Sequence, residues 1–217
     1  MTGREYFKDV FKIDDPENYV VINFASDSIK KDAKILQISY VHKGEMTVQY
    51  IKGGNPRLNG EFTGISARVY EDEALGAGAI EGDFIEFLKD EEIAYIVYNN
   101  EVWNKRLLEN NSWTRVLMMA ARLPCLAISD YEVVRRAFGD TILDHPDLKK
   151  ACSTINTRAK SAPKGVRCTI YNNYFDRHPG AKIPSSFSTE SEKLAYAMDK
   201  IMQSILNSNM NEETYKV

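Results

Sequence analysis

Apolar residues recur along this chain in two rhythms, and the change from one to the other marks out the elements. Residues 20–24, VVINF, and 35–41, ILQISYV, are short runs of β-branched and apolar side chains, and runs of that length predict buried strands. Between them, ASDSIKKDA carries several charges and reads as a solvated loop. HKGE follows the second run and predicts a tight turn, because Gly44 takes a positive φ without a Cβ clash. In MTVQYI, Met46, Val48 and Tyr50 alternate with Thr47 and Gln49, the period of a strand with unlike faces. Strand, strand, turn and strand at this spacing predict an antiparallel meander.

From Lys52 to Ala79 the chain is rich in Gly and polar residues, with GGNP as a turn. Ile80, Phe84, Ile85 and Leu88 then fall at helical spacing and predict a short amphipathic helix. Residues 93–98, IAYIVY, read as a further strand, and a helix follows from Glu101 to Leu108. Trp113 to Leu123 predicts a helix stopped by Pro124, and Ser129 or Asp130 caps another that runs to Gly139. Turn-forming residues break up 139–187: Asn172, Asn173, His178, Pro179, Gly180 and Pro184. Leu194, Met198, Ile201, Met202 and Ile205 lie on one stripe of a final helix, with Ser188 or Thr189 as its cap. Residues 207–217 read as a frayed tail. No repeat, heptad run or low-complexity linker divides the chain. The expected organisation is one domain over 1–217, with 139–187 as an irregular elaboration.

Composition narrows the class. At 217 residues, with 43% hydrophobic and 27% charged, the chain has the make-up of a globular protein. No apolar stretch is long enough to span a bilayer, and the charged start, MTGREYFKDVFKIDD, lacks a signal-peptide core, so a cytoplasmic protein without membrane contact is expected. Cys125, Cys152 and Cys168 are odd in number and widely spaced, which favours ordinary thiols over disulfides or zinc. The net charge of −3 conceals a basic window: Lys149 to Lys182 holds eight Lys or Arg against the single acid Asp176. That window offers a polyanion a local field that the acidic remainder does not.

Three segments carry a resemblance. VVINFASDS with AKILQISYVHKGE, FTGISARVYEDE (Phe62 to Glu73) and IVYNNEVWNKRLLE (Ile96 to Glu109) resemble, in that order, the first strands, the "hGIt" segment and the "VaHNaxFDxxfL" segment of the DEDD-type 3′–5′ exonucleases. The resemblance implies an α/β fold of the ribonuclease-H-like kind, a mixed sheet flanked by helices. It also implies two divalent cations held by acidic side chains, because hard cations take oxygen ligands and stabilise both the attacking and the leaving oxygen at a phosphodiester. Here the positions of the first acid pair are Asn23 and Ala25, and Trp103 stands where the third acid is expected. Asn99 keeps the family's asparagine, and Phe187 stands about where a histidine precedes the last acid. An amide, a methyl and an indole supply none of the negative field two cations need. The resemblance therefore implies a pseudoenzyme with no catalytic residues and no cofactor. Mg²⁺ or Mn²⁺ enters only if Asp27, Asp32, Glu101 and Glu192 act as substitute acids.

For most of these residues a plain structural reading stands beside the functional one. Asn23 is either a cleft remnant or a satisfied polar residue closing a strand; Trp103, at helical spacing with Leu107, suits a core position; Asn99 suits a helix cap. Arg158, Lys160, Lys164, Arg167 and Arg177, with Tyr171 and Tyr174, have the cations and rings that bind single strands, but equally make a solvated face. His42, His145 and His178 show no metal spacing, and no P-loop, dinucleotide, HExxH or nucleophile-elbow motif is present. The expected function is a binding or assembly module whose partner is a protein, a second copy or nucleic acid. The alternatives are a structural subunit without nucleic-acid affinity and a nuclease with displaced acids.

Overall fold

The computed structural model describes residues 2–98, 101–127 and 184–207. Along the chain run α1 (Gly3–Val10), β1 (Tyr19–Ser26), β2 (Ile35–His42), β3 (Glu45–Tyr50), a 3₁₀ turn (Pro56–Leu58), α2 (Gly60–Thr63), α3 (Ala67–Glu73) and α4 (Ala77–Asp90). Then come β4 (Tyr95–Tyr98), α5 (Glu101–Asn110), α6 (Thr114–Ala120), β5 (Cys125–Ala127) and α7 (Glu190–Asn207). The strands make one five-stranded sheet in the order β3-β2-β1-β4-β5. β1, β2 and β3 form the expected antiparallel meander, while β4 and β5 run parallel to β1. This is the α/β class predicted from the sequence, a mixed sheet with helices on both faces.

The β2–β3 turn takes positive φ at both Lys43 (49°) and Gly44 (82°), the type I′ geometry whose twist matches the flanking strands. β1 is central, so all eight of its residues are buried, and β3 lies at the edge, half exposed. Side chains alternate across the sheet. Val20, Ile22 and Phe24 pack with Ile80, Phe84, Leu107 and Trp113 on the side covered by α4, α5 and α6. Tyr19 and Val21 pack with Phe7, Leu194, Met198 and Met202 on the side covered by α1 and α7. Each fully buried aliphatic side chain stabilises by roughly 1.5–3 kcal/mol. A charge at Met198, which has no exposed surface, would therefore unseat α7.

Several boundaries move. The charged start forms α1, held by a reciprocal capping box between Thr2 and Glu5 and anchored by the fully buried Phe7. The polar stretch after Lys52 contains the 3₁₀ turn, α2 and α3, each too short to show a period. The helix expected from Trp113 begins only at Thr114 and ends at Ala120, and the strand expected from Ile93 begins at Tyr95. Beyond Pro124 lies a short strand that sequence periodicity does not announce; the Pro124 carbonyl already accepts from the Ile96 N–H at 2.9 Å. Among the described residues no helix is long and apolar enough to cross a membrane. The helix expected from Ser129 or Asp130 to Gly139 and the frayed tail beyond 207 lie outside the described residues, as does all but the end of the 139–187 elaboration.

Candidate functional site

Asn23 and Ala25 continue the Tyr19–Val21 face of β1; Asn23 meets the first turn of α7, and Ala25 packs with Leu36, Ile65, Tyr70 and Ala74. On β2, Ser39 lies opposite Asn23 and Gln37 opposite Ala25, so four neighbouring positions on this face bear no charge. The Asn23 amide donates to Ser191 Oγ at 3.1 Å, and that hydroxyl is 3.3 Å from the Asn23 carbonyl, which accepts from it. Asn23 and Ser191 thus close a neutral loop between strand and helix. Gln37 and Ser39 are fully buried, and among the described residues neither the Gln37 amide nor the Ser39 hydroxyl has a hydrogen-bond partner. The floor of the site presents amide and hydroxyl dipoles only.

The approach to α7 is set by the segment that resembles "hGIt". Gly64 ends α2 with φ of 70°, and a Cβ there would lie 2.8 Å from the Ser188 carbonyl oxygen. Both facts require glycine. Thr63 beside it is buried. At the other side of the seam, Thr189 caps α7. Glu192 Oε2 accepts from the Thr189 N–H at 2.8 Å and its hydroxyl at 2.6 Å, and from the Ser188 hydroxyl at 3.2 Å. The Glu192 N–H donates back to Thr189 Oγ1 at 3.3 Å, completing a capping box. The carboxylate of Glu192 is engaged in starting the helix. Tyr50, half-buried on β3, has its hydroxyl pushed up by burial and by the charge of Glu192. Phe187 packs on Tyr196 with ring centroids 5.3 Å apart.

Asp27, just past the end of β1, is similarly engaged. Its Oδ1 accepts from the Lys34 N–H at 2.9 Å and its Oδ2 from the Asn55 N–H at 3.3 Å. It ties the β1–β2 loop to the segment before the 3₁₀ turn. Asp32 is exposed on that same loop. Glu101 and Trp103 lie in the first turn of α5, but their side chains lie outside the described set, as does Asn99 altogether. Arg158, Lys160, Lys164, Arg167, Tyr171, Tyr174 and Arg177 lie outside the described residues, as do His145, His178, Cys152 and Cys168. Cys125 is a half-buried thiol with its Sγ 3.3 Å from the Tyr98 hydroxyl. Among the described residues no three of His, Cys, Asp and Glu come together in a way that holds a metal ion.

Sequence reasoning missed a second polar group on this face. Asp199 of α7 is 1% exposed; its Oδ1 accepts from the Tyr19 hydroxyl at 2.9 Å and its Oδ2 from the Gln203 amide at 2.7 Å. Burial raises its pKa, and the Tyr19 hydrogen bond and the Lys200 charge oppose that rise. Burial and the Asp199 charge together hold the Tyr19 hydroxyl protonated. The signal was available: Asp199 stands at helical spacing from Ala195 and Met202, an acid on a buried face. His42, unpaired by spacing, lies between the Tyr19 carbonyl (2.9 Å) and Glu91 (3.2 Å), an acid far along the chain. No protein-family model matches this chain, and no curated protein matches it either.

Proposed function

We propose that this chain is a catalytically silent, exonuclease-like domain that serves as a binding or assembly module. The observation that carries this is the Asn23–Ser191 pair. At the position where the resemblance puts the first acid of a two-cation site, an amide is hydrogen-bonded to the last helix at 3.1 Å, with Ala25 on the same face. The strand order β3-β2-β1-β4-β5, with β2 antiparallel and β4 parallel to β1, is consistent with a ribonuclease-H-like sheet and supports the resemblance. Two of the substitute acids have other work: Asp27 accepts two backbone N–H groups and Glu192 closes a capping box. A carboxylate committed to backbone donors is a poor ligand, because binding a cation would compete with those hydrogen bonds.

The test is a nuclease assay with calorimetry. Purified protein is incubated with labelled single-stranded DNA and RNA in Mg²⁺ and in Mn²⁺, and each cation is titrated into the protein alone. The expected result is intact substrate and no heat of specific cation binding. Cation-dependent trimming from the 3′ end that disappears in Asp27→Asn or Glu192→Gln would establish the displaced-acid nuclease instead.

A further inference from the structure

We infer that the end of the sheet where β1 and β3 finish is a docking surface for an acidic, apolar-bearing peptide segment of a partner protein. The inference deepens the binding-module reading and rests on it. Five large hydrophobic residues stand exposed among the described residues, and four of them, Ile29, Leu58, Phe62 and Leu75, lie at this one end; Met118 is the other. Ile29 is on the β1–β2 loop. Leu58 and Phe62 flank Asn59, whose amide donates to the Ser26 carbonyl at 3.0 Å, so their segment abuts the same loop. Leu75 is bridged to the end of β3 through its N–H to the Tyr50 carbonyl at 2.9 Å. Ile29, Leu58 and Leu75 are more than half exposed, which a solvent-facing end tolerates singly but seldom as a group.

Charge sets the partner's chemistry. The β1–β2 loop bears Lys30, Lys31 and Lys34 against Asp27 and Asp32; the three lysines and Asp32 are exposed, and Asp27 is buried against its two N–H donors. Two of the three acids of α3 are engaged, Glu71 with Arg57 and Asp72 with Arg68, and the third, Glu73, is exposed. Among the described residues the three lysines form no ion pair, so their field is turned to solvent, where an anionic partner would meet it. The loop is also held in shape before any partner arrives. Asp27 N–H donates to the Lys34 carbonyl at 3.0 Å, and Asn111 donates to the Ala33 carbonyl at 3.0 Å while accepting from the Ile35 N–H at 3.2 Å. A preformed loop lowers the ordering cost of binding.

Cations alone would suit a nucleic-acid strand, but the apolar residues decide otherwise. A single strand gains from stacking on flat rings, and three of the four exposed groups are aliphatic. Aliphatic knobs ringed by lysine match apolar side chains interspersed with Asp and Glu.

The test is selection from a display library of short random peptides against the full chain, followed by polarisation assays on the enriched peptides and on a single-stranded oligonucleotide. Enriched sequences should combine Asp or Glu with Leu, Ile or Phe. Their affinity should fall at least about tenfold in a Lys30→Glu, Lys31→Glu, Lys34→Glu variant and in an Ile29→Ser, Leu58→Ser variant, and should weaken with salt. All five positions are exposed, so the variants keep the fold, which circular dichroism checks. No enrichment, enrichment indifferent to both variants, or tighter binding of the oligonucleotide at the same residues would overturn the inference. The cleavage assay above bears on the binding-module reading alone, so the two failures are distinguishable.

Discussion

Replacing Asp27 separates a structural carboxylate from a catalytic one. Its side chain is buried, and its two oxygens accept from the Lys34 and Asn55 N–H groups at 2.9 and 3.3 Å. Hydrogen bonds to a charged acceptor contribute about 1.5–3 kcal/mol each. Both donors belong to exposed residues, and the longer bond is the weaker of the two, so the pair counts for less than the full sum. Asp27→Ala should therefore cost about 2–4 kcal/mol. Asp27→Asn keeps one acceptor oxygen but sets its NH₂ against the other donor, and should cost roughly half as much. A Glu at this position carries the carboxylate one methylene beyond the two N–H groups it meets at 2.9 and 3.3 Å, so it should not rescue.

Urea denaturation measures the effect as a lowered midpoint at unchanged slope. The same samples are melted with and without Mn²⁺. If Asp27 is a structural tie, the cation shifts wild type and variants alike, and the loss in midpoint is the whole effect. A destabilisation of Asp27→Ala below about 0.5 kcal/mol, the range of an ordinary surface substitution, would refute the reasoning. So would a Mn²⁺-dependent stabilisation present in wild type and absent from Asp27→Asn.

Two further outcomes follow from the described contacts. Glu81 of α4 accepts from the Arg115 and Val116 N–H groups at 3.0 and 3.3 Å, capping α6 from another helix, so Glu81→Ala should lower stability in urea by about 2–3 kcal/mol and Glu81→Gln by less than half of that. Asp199 has a folded-state pKa raised chiefly by burial, so its contribution to stability is fully present below the unfolded carboxylate value of about 3.9 and is lost as pH rises through the folded value. Measured as wild type against Asp199→Asn, the stability difference should move against the wild type across that window and stay level above it; a difference that moves the other way would show the carboxylate to be net stabilised by Tyr19 and Lys200.

How much of this the sequence disclosed depends on the range of each interaction. The meander was plain because β1, β2 and β3 carry their own pattern and Gly44 marks the turn. The capping of α7 was plain down to the choice of Ser188 or Thr189, and Thr189 proves to be the cap because Glu192 reaches back to it. α1 is hard to read from its pattern although Thr2 and Glu5 spell a capping box, because one buried ring, Phe7, sets no period in a charged segment. The site was half readable. Asn23 and Ala25 were identified along β1, but Ser191 meets Asn23 across a separation of 168 positions, and no local pattern fixes the register of a helix on a strand so far away. Asp27 is nameable as an acid from sequence, yet its donor on Asn55 approaches only in the folded chain, whereas Glu192 finds its donors three and four residues back.

The neutral floor and the close seating of α7 depend on each other. Asn23 and Ala25 are 9% and 8% exposed. Two carboxylates at those positions, facing the buried Gln37 and Ser39 with no cation between them, would be desolvated like charges, and each would resist ionising beside the other. Such a pair tolerates burial only when a metal ion or water fills the gap, which keeps helix and strand apart. With an amide and a methyl the gap closes, and Ser191 takes up the Asn23 amide directly. An amide and a methyl at these positions thus go with a close seam on this face, in keeping with the proposal that a partner docks on the exposed loop ends.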